Sequence, residues 1–404
     1  MRIDAREAAL VVAGAAALVL GVYTATPLTP RNAGFDSDGV YYGAMALSLP
    51  ELHELAHTAP YCWRPLTPWL AGALPRSNNA QLIANFRVLT LPVTFASLLL
   101  LYALLRSLRL SVAASSLGAV LYAGLFWTLK FAYYSPAYVD YFAQTLLLAA
   151  LLLVVLGKPW LMLGVLCAGV LQRETILAAI PALIALRWQA TRLRSGQERV
   201  WIAAVLVLPP ALLVALRTVV TPVNSYSSVA ALAEIAGSQL RSVQFWALLP
   251  LELVVGLGAT PLVALAAATT LPDALRRLWP FAMLLACGVP LAFGGPDKAR
   301  LLLPLVPAAI VLAVAAFDAA LGGWRRPALI AWLALLLASH GYIGHQFEPL
   351  DSTDEFFQRL APLHGFRDGG DPTREYLRCG AALGLTAIAT LLLFRSSRSA
   401  DSGP

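Results

Sequence analysis

Two carboxylates lie close together early in the chain, Asp36 and Asp38, in the stretch GFDSDGVYYGAMALSL. A carboxylate there could act as general base toward a hydroxyl, or hold a divalent cation (Mg or Mn) against a phosphate. Helix capping is the plainer alternative, because Asp before an apolar helix accepts that helix's free N–H groups. Further on, His53-Glu54-Leu55-Ala56-His57 matches H-E-x-x-H, in which two His at i, i+4 bind zinc and the Glu serves as base. Pro50 and Pro60 confine it to about two turns, and no further His or carboxylate follows until Asp140, so chance is the favoured origin. Arg64, in PYCWRPLTPWLA, has the planar fork that suits a phosphate. It could equally snorkel to headgroups beside Trp63 and Trp69. Lys298 and Arg300, in Asp297-Lys298-Ala299-Arg300, allow the same two readings. Lys130, Asp140, Arg173 and Glu174 complete the set; their plain reading is mutual pairing between helix ends.

These groups are embedded in a chain that water alone would not accommodate. Of 404 residues, 59% are apolar and only 13% charged, and mean hydropathy is +0.71. A soluble domain carries about twice that share of charge. Apolar runs near the length of a membrane span recur from end to end. This excludes a cytosolic enzyme, a disordered chain and a disulfide-stapled secreted module. The expectation is an all-α polytopic membrane protein, residues 1–404 forming a single transmembrane domain. About 12 transmembrane helices (11–13) are expected, at roughly 8–25, 84–105, 111–129, 139–156, 160–172, 175–187, 200–220, 246–271, 278–294, 301–320, 327–343 and 377–394. The first is read as a retained span, since no small-residue cleavage site precedes TPLTPR.

Charge orients the chain. With both termini cytoplasmic, the inner ends collect about half of the 29 basic residues, including Arg2, Arg6, Arg106, Arg109, Arg187, Arg276, Arg277 and Arg395, beside few acids. The outer side keeps a slight acidic excess, as the positive-inside rule requires. The net charge of +7 is thus an orientation signal and no sign of a nucleic-acid partner. Basic residues are almost all Arg, which hints at a high-GC bacterial genome and a bacterial cytoplasmic membrane.

The weak join is 160–187. Arg173 and Glu174 interrupt an apolar stretch, and two short helices meeting at Gln172–Thr175 keep the basic loop Trp188–Arg199 inside. Each is about 13 residues, or roughly 20 Å, short of the ~30 Å hydrocarbon core. The polar tip then lies below the membrane surface, which is tolerated where it is buried in protein or lines a wet cavity. An outward-facing cavity follows. The first extracytoplasmic loop, 26–83, carries the candidate site with short interfacial helices at Asp38–Leu49 and Pro65–Leu74. A second, smaller loop spans 344–376 and holds Glu348, Asp351, Asp354 and His364. Cys62 and Cys379 could both lie near the outer face.

The order of these features resembles the GT-C superfamily of integral-membrane glycosyltransferases, which take sugars from polyprenyl-phosphate or polyprenyl-diphosphate donors. Carrying the resemblance are Asp38 with Tyr42 and Ala46 after the first span, PYCWRPLTPWLA, the QRET tip and the KARLLLPLVP helix start, over about residues 1–310. It implies a catalytic base at Asp38, with Asp36 second. It implies donor-phosphate contacts from Arg300, Lys298 or Arg64; the outward-facing cavity read from the short helices would be lined by Tyr42, Lys130, Asp140, Arg173 and Glu174. Some members use a divalent cation and others none, so Asp36 and Asp38, and less so His53 and His57, are the metal candidates. The partners implied are the lipid bilayer, a lipid-linked sugar donor and a glycan, lipid or protein acceptor at the cell envelope. Gly39 departs from the pattern, standing where several families place a second acidic residue. A twelve-helix secondary transporter is the main alternative, since both termini inside and a long central inner loop suit one; against it stand the large first loop and the lack of similarity between halves. A membrane zinc metalloprotease through HELAH is third, and a polymerase or ligase of lipid-linked glycans fourth.

Overall fold

The computed structural model describes residues 4–48, 57–192, 195–224, 228–293, 298–323, 326–347 and 373–399. Among them there are helices and no strands. The helices are α1 (Ala5–Ala25), α2 (Gly39–Leu47), α3 (Leu66–Ala73), α4 (Asn79–Ser107), α5 (Val112–Ala123), α6 (Phe131–Tyr134), α7 (Asp140–Val155), α8 (Pro159–Gln172), α9 (Ile180–Thr191) and α10 (Gly196–Val219). There follow α11 (Ser228–Arg241), α12 (Val243–Leu257), α13 (Thr260–Ala266), α14 (Leu271–Arg277), α15 (Trp279–Gly288), α16 (Lys298–Leu301), α17 (Val306–Ala320), α18 (Arg326–Ile343) and α19 (Thr373–Ser399).

Six of the described helices are long and apolar enough to cross a membrane, or nine spans if each of three bent pairs counts as one. Helix covers each apolar run that the sequence marks out. Two features separate this count from the twelve expected spans: three runs are bent, and α7 and α8, of 16 and 14 residues, fall short of a full span. The run 246–271 is broken between α12 and α13 by 82°, and α14 meets α15 at 89°. The run 111–129 bends by 58° into a π-type turn at Phe126–Lys130.

Two of the three bends share a local tie. The imidazole of His340 on α18 is buried where two of them meet. Its Nδ1 accepts from the Ala259 N–H at 3.0 Å, and its Nε2 donates to the Leu121 carbonyl at 2.7 Å. Each bend frees backbone groups that a hydrocarbon interior leaves unsatisfied, and this side chain takes one from each. The ring lies against Gly124 and Gly258, where an added Cβ would come within 2.5 and 2.4 Å of it. Gly258 also holds φ at +56°, a left-handed setting that glycine reaches without a steric penalty.

The lipid-facing helices are set apart by what they bury. In α17 and the turn before it, 72% of the most apolar window is inside the protein; in α1, α10 and α19 the shares are 6%, 11% and 22%. Leu10, Leu20, Val207, Val214, Leu385 and Leu392 on those outer helices are exposed, an apolar coat of the kind lipid replaces water against.

Polar ties sort to two ends. At one, Glu7 of α1 takes Arg106 of α4 at 2.6 Å and the Tyr102 hydroxyl at 2.8 Å, Arg187 pairs with Glu198, and Ser111 donates to Asp318 at 2.5 Å. These are groups expected on the inner side. The opposite end is built by the stretch after α1. The Thr29 N–H donates to the Tyr134 carbonyl at 2.9 Å, and Arg87 donates to the carbonyl of Thr26 at 2.5 Å. Beneath that stretch lies the tip of α8. The amide oxygen of Gln172 accepts from the Thr67 N–H at 3.1 Å and hydroxyl at 2.9 Å, while its nitrogen donates to the Val139 carbonyl at 2.8 Å. One fully buried amide thus joins α3, α8 and the turn before α7.

Candidate functional site

Ser37 takes a positive φ of 43° between the two early carboxylates, and they find different partners. Asp36 is 3% exposed and faces Arg31 at 4.0 Å, while its carbonyl accepts from the Gly39 N–H. Asp38 stands at the N-cap position of α2 without capping it. Its carboxylate turns outward instead, taking Arg300 at 2.9 Å on one oxygen and the Tyr61 hydroxyl at 3.1 Å on the other. The capping alternative is therefore not what the geometry adopts for Asp38. Residues 262 positions apart in the chain share a site whose side chains retain 17% (Asp38) and 11% (Arg300) of their exposure.

Aromatic rings hold both members. The Arg300 guanidinium lies over the Tyr138 ring at 5.0 Å, and Tyr61 stacks on Tyr41 at 4.4 Å. Burial pushes the Tyr61 phenol well above its ordinary range, and the Asp38 charge adds to that. Tyr61 therefore donates to Asp38 throughout the physiological range.

Behind this pair the charges alternate. Arg300 Nε approaches Asp140 at 3.9 Å, and Asp140 is in turn paired with Arg173. A second pair is complete in itself: Arg64 donates through Nε and Nη2 to the two oxygens of Glu174 at 2.9 and 2.5 Å, and through Nη1 to the Tyr42 hydroxyl at 3.1 Å. Arg64 is 7% exposed, so it is neither a headgroup anchor nor a guanidinium with an unoccupied fork. The four charges read as one paired set divide otherwise. Arg173 takes Asp140, and Glu174 takes Arg64. Lys130 belongs elsewhere, its ammonium donating to the carbonyl of His345, which also meets Arg378.

Lys298 contributes backbone to α16, and its side chain lies outside the described residues, as do His53, Glu54 and the acids of 348–372. His57 uses Nδ1 on the Thr221 carbonyl at 3.0 Å. Among the described residues no three His, Cys, Asp or Glu groups come together as metal ligands. All four cysteines are free thiols, so Cys62 and Cys379 are not joined.

Sequence reasoning missed three contributors. Tyr61 and Tyr138 lie in aromatic stretches, and their composition reads as interfacial belt. Gln144 lies inside an apolar run, where a single amide carries little weight; it is 2% exposed beside Asp140 and Arg173. No family model, no curated protein and no solved structure matches this chain.

Proposed function

We propose that this chain is an integral-membrane glycosyltransferase of GT-C type, moving a sugar from a polyprenyl-phosphate donor to an acceptor on the extracytoplasmic side. The observation that carries the reading is the meeting of Asp38 and Arg300 at 2.9 Å in a part-buried site with Tyr61 and Tyr138 around it. A lipid-held donor keeps its reacting carbon at headgroup depth, so its enzyme needs a carboxylate for the acceptor and a cation for the phosphate there. Twelve spans with both termini cytoplasmic would put that site on the outer face of a bacterial cytoplasmic membrane.

In this reading the donor phosphate takes Arg300 from Asp38. The freed carboxylate accepts the proton of the acceptor hydroxyl as that oxygen bonds to the anomeric carbon. The bond from that carbon to the phosphate oxygen breaks, and polyprenyl phosphate leaves with the electron pair, its charge met by Arg300. Lys298, two residues from Arg300, is the second cation. Arg64 is assigned a positioning role, since Glu174 and Tyr42 already occupy it. Asp36 and Asp38 do not fit a shared Mg or Mn, because Asp36 faces Arg31 while Asp38 is held by Arg300 and Tyr61.

Asp38→Asn should lower glycan transfer in membranes by about 10²–10⁴-fold, the range for a lost general base, with expression unchanged. Full transfer in Asp38→Asn, with Asp36→Asn equally silent, would falsify the assignment. Substrate flux in proteoliposomes without a covalent product would favour the transporter instead.

A further inference from the structure

Directly beneath the ion-pair chain is a small cavity. It is lined by Asp140, Ala143, Gln144, Leu147, Arg173, Thr175, Ile176, Leu303 and Pro304. Its enclosed part has room for the centre of one water-sized group, about 10 Å³, near the minimum for a single ordered water. Gln144 stands one turn along α7 from Asp140, on the same helix face and about 6 Å deeper. It is 2% exposed, yet among the described residues neither its amide oxygen nor its nitrogen has a hydrogen-bond partner. Arg173, 5% exposed, leaves its Nε–H in the same condition. A buried amide without partners at both ends is costly, and native interiors seldom keep one. Gln172, on the neighbouring tip, shows the usual outcome, with both ends engaged.

The chemistry on offer is mixed. Gln144 presents one acceptor and two donors, Arg173 adds a donor, and Thr175 is part of the wall. A phosphate oxygen only accepts, so it would leave the Gln144 oxygen unpaired, and the Asp140 carboxylate beside it opposes a second anion. A hydroxyl both donates and accepts, and it is the size of the space. Leu147, Ile176, Leu303 and Pro304 supply the apolar remainder of the wall, the usual setting for a few placed polar groups in a ligand site.

We infer that Gln144, with Arg173 and Thr175, forms a recognition pocket for one hydroxyl group of the transferred sugar. The inference rests on the donor assignment above and deepens it, making Gln144 a specificity-determining residue one helical turn below the charged site. Gln144→Met keeps the volume and removes both polar ends. The test is binding to purified protein of two probes, a polyprenyl-phosphate hexose and polyprenyl phosphate without sugar, in wild type and Gln144→Met, alongside thermal unfolding. Wild type should hold the sugar-bearing lipid at least tenfold tighter. Gln144→Met should erase that preference, bind the sugar-free lipid as wild type does, and melt about 1 °C or more higher, because an unpaired amide has been removed. A preference that survives in Gln144→Met overturns the pocket and leaves the donor assignment standing. Wild type that binds both lipids equally overturns the pocket and leaves the donor assignment standing, whereas wild type that binds neither overturns the donor assignment and the pocket with it. A lower melting point with the preference intact shows an amide that serves packing only, and overturns the pocket as well.

Discussion

The pair between Arg64 and Glu174 fastens the first loop to the tip between α8 and α9, and its strength can be worked from its geometry. Arg64→Met removes two charge-assisted hydrogen bonds, at 2.9 and 2.5 Å, and leaves the Glu174 carboxylate behind. Breaking a buried pair from one side costs about 3–5 kcal/mol. Glu174 keeps 26% of its side-chain exposure and can be partly rehydrated, which places this variant at the low end, about 3 kcal/mol. Glu174→Met strands a guanidinium in a residue only 7% exposed, with Tyr42 as its remaining partner, and belongs at the upper end, about 5 kcal/mol. An unfolding entropy of about 2.1 cal/mol/K per residue amounts to about 0.8 kcal/mol/K for this chain. The single variants should then melt about 4 °C and 6 °C below wild type. The double variant Arg64→Met/Glu174→Met should return to within about 1 °C, since an apolar pair of similar volume replaces a buried ion pair at little net change. The ten tryptophans make fluorescence during heating in detergent micelles the natural assay. Single variants that melt with wild type, or a double variant whose loss is the sum of the two, would refute the reasoning, because either result means the charges do not support each other.

Three further outcomes are expected. Gly258→Ala should lower the melting point well beyond Gly196→Ala, since its Cβ would press on His340 at 2.4 Å while no described residue lies within 4 Å at Gly196; equal effects in a thermal melt would rule out packing against His340 as the cause. Ser77→Cys should react with an impermeant maleimide added outside intact cells, whereas Arg277→Cys should react only after permeabilisation, and the reverse pattern would invert the proposed topology. Tyr61→Phe removes the hydrogen bond to Asp38 and should reduce transfer about tenfold, within the range for one polar contact to a charged group, without moving the alkaline limb of the pH profile, because the phenol stays protonated there; a shifted limb would mean that Tyr61 itself titrates.

Much of the architecture is legible in the sequence because a helix in hydrocarbon must satisfy its own backbone, and twenty apolar residues leave few alternatives. The polar interruption at Arg173 and Glu174 gives away the two short helices for the same reason, and α2 and α3 lie within two residues of the segments read as interfacial helices. Breaks inside uniformly apolar runs are not legible. In LLPLELVVGLGATPLVALAA the glycines and Pro261 permit a break but do not show that the chain turns sharply at Gly258, since the group packed into that corner, His340, arrives from a helix about eighty residues on. Pairings among charges were harder still. Arg64 stands beside two tryptophans in sequence and reads as an anchor, but its partner is more than a hundred residues away. Composition says which groups are too polar for lipid, and only the packed helices say which of them answer one another.

The imidazole on α18 ties two of the three bent spans together, and this limits how the protein can move. Because one ring spends each of its nitrogens on a different corner, neither corner can straighten without stranding a peptide group in the interior. The two elbows are therefore geared to a common axle. Any motion that widens the charged end must carry both limbs as one piece, or release the ring from both at once.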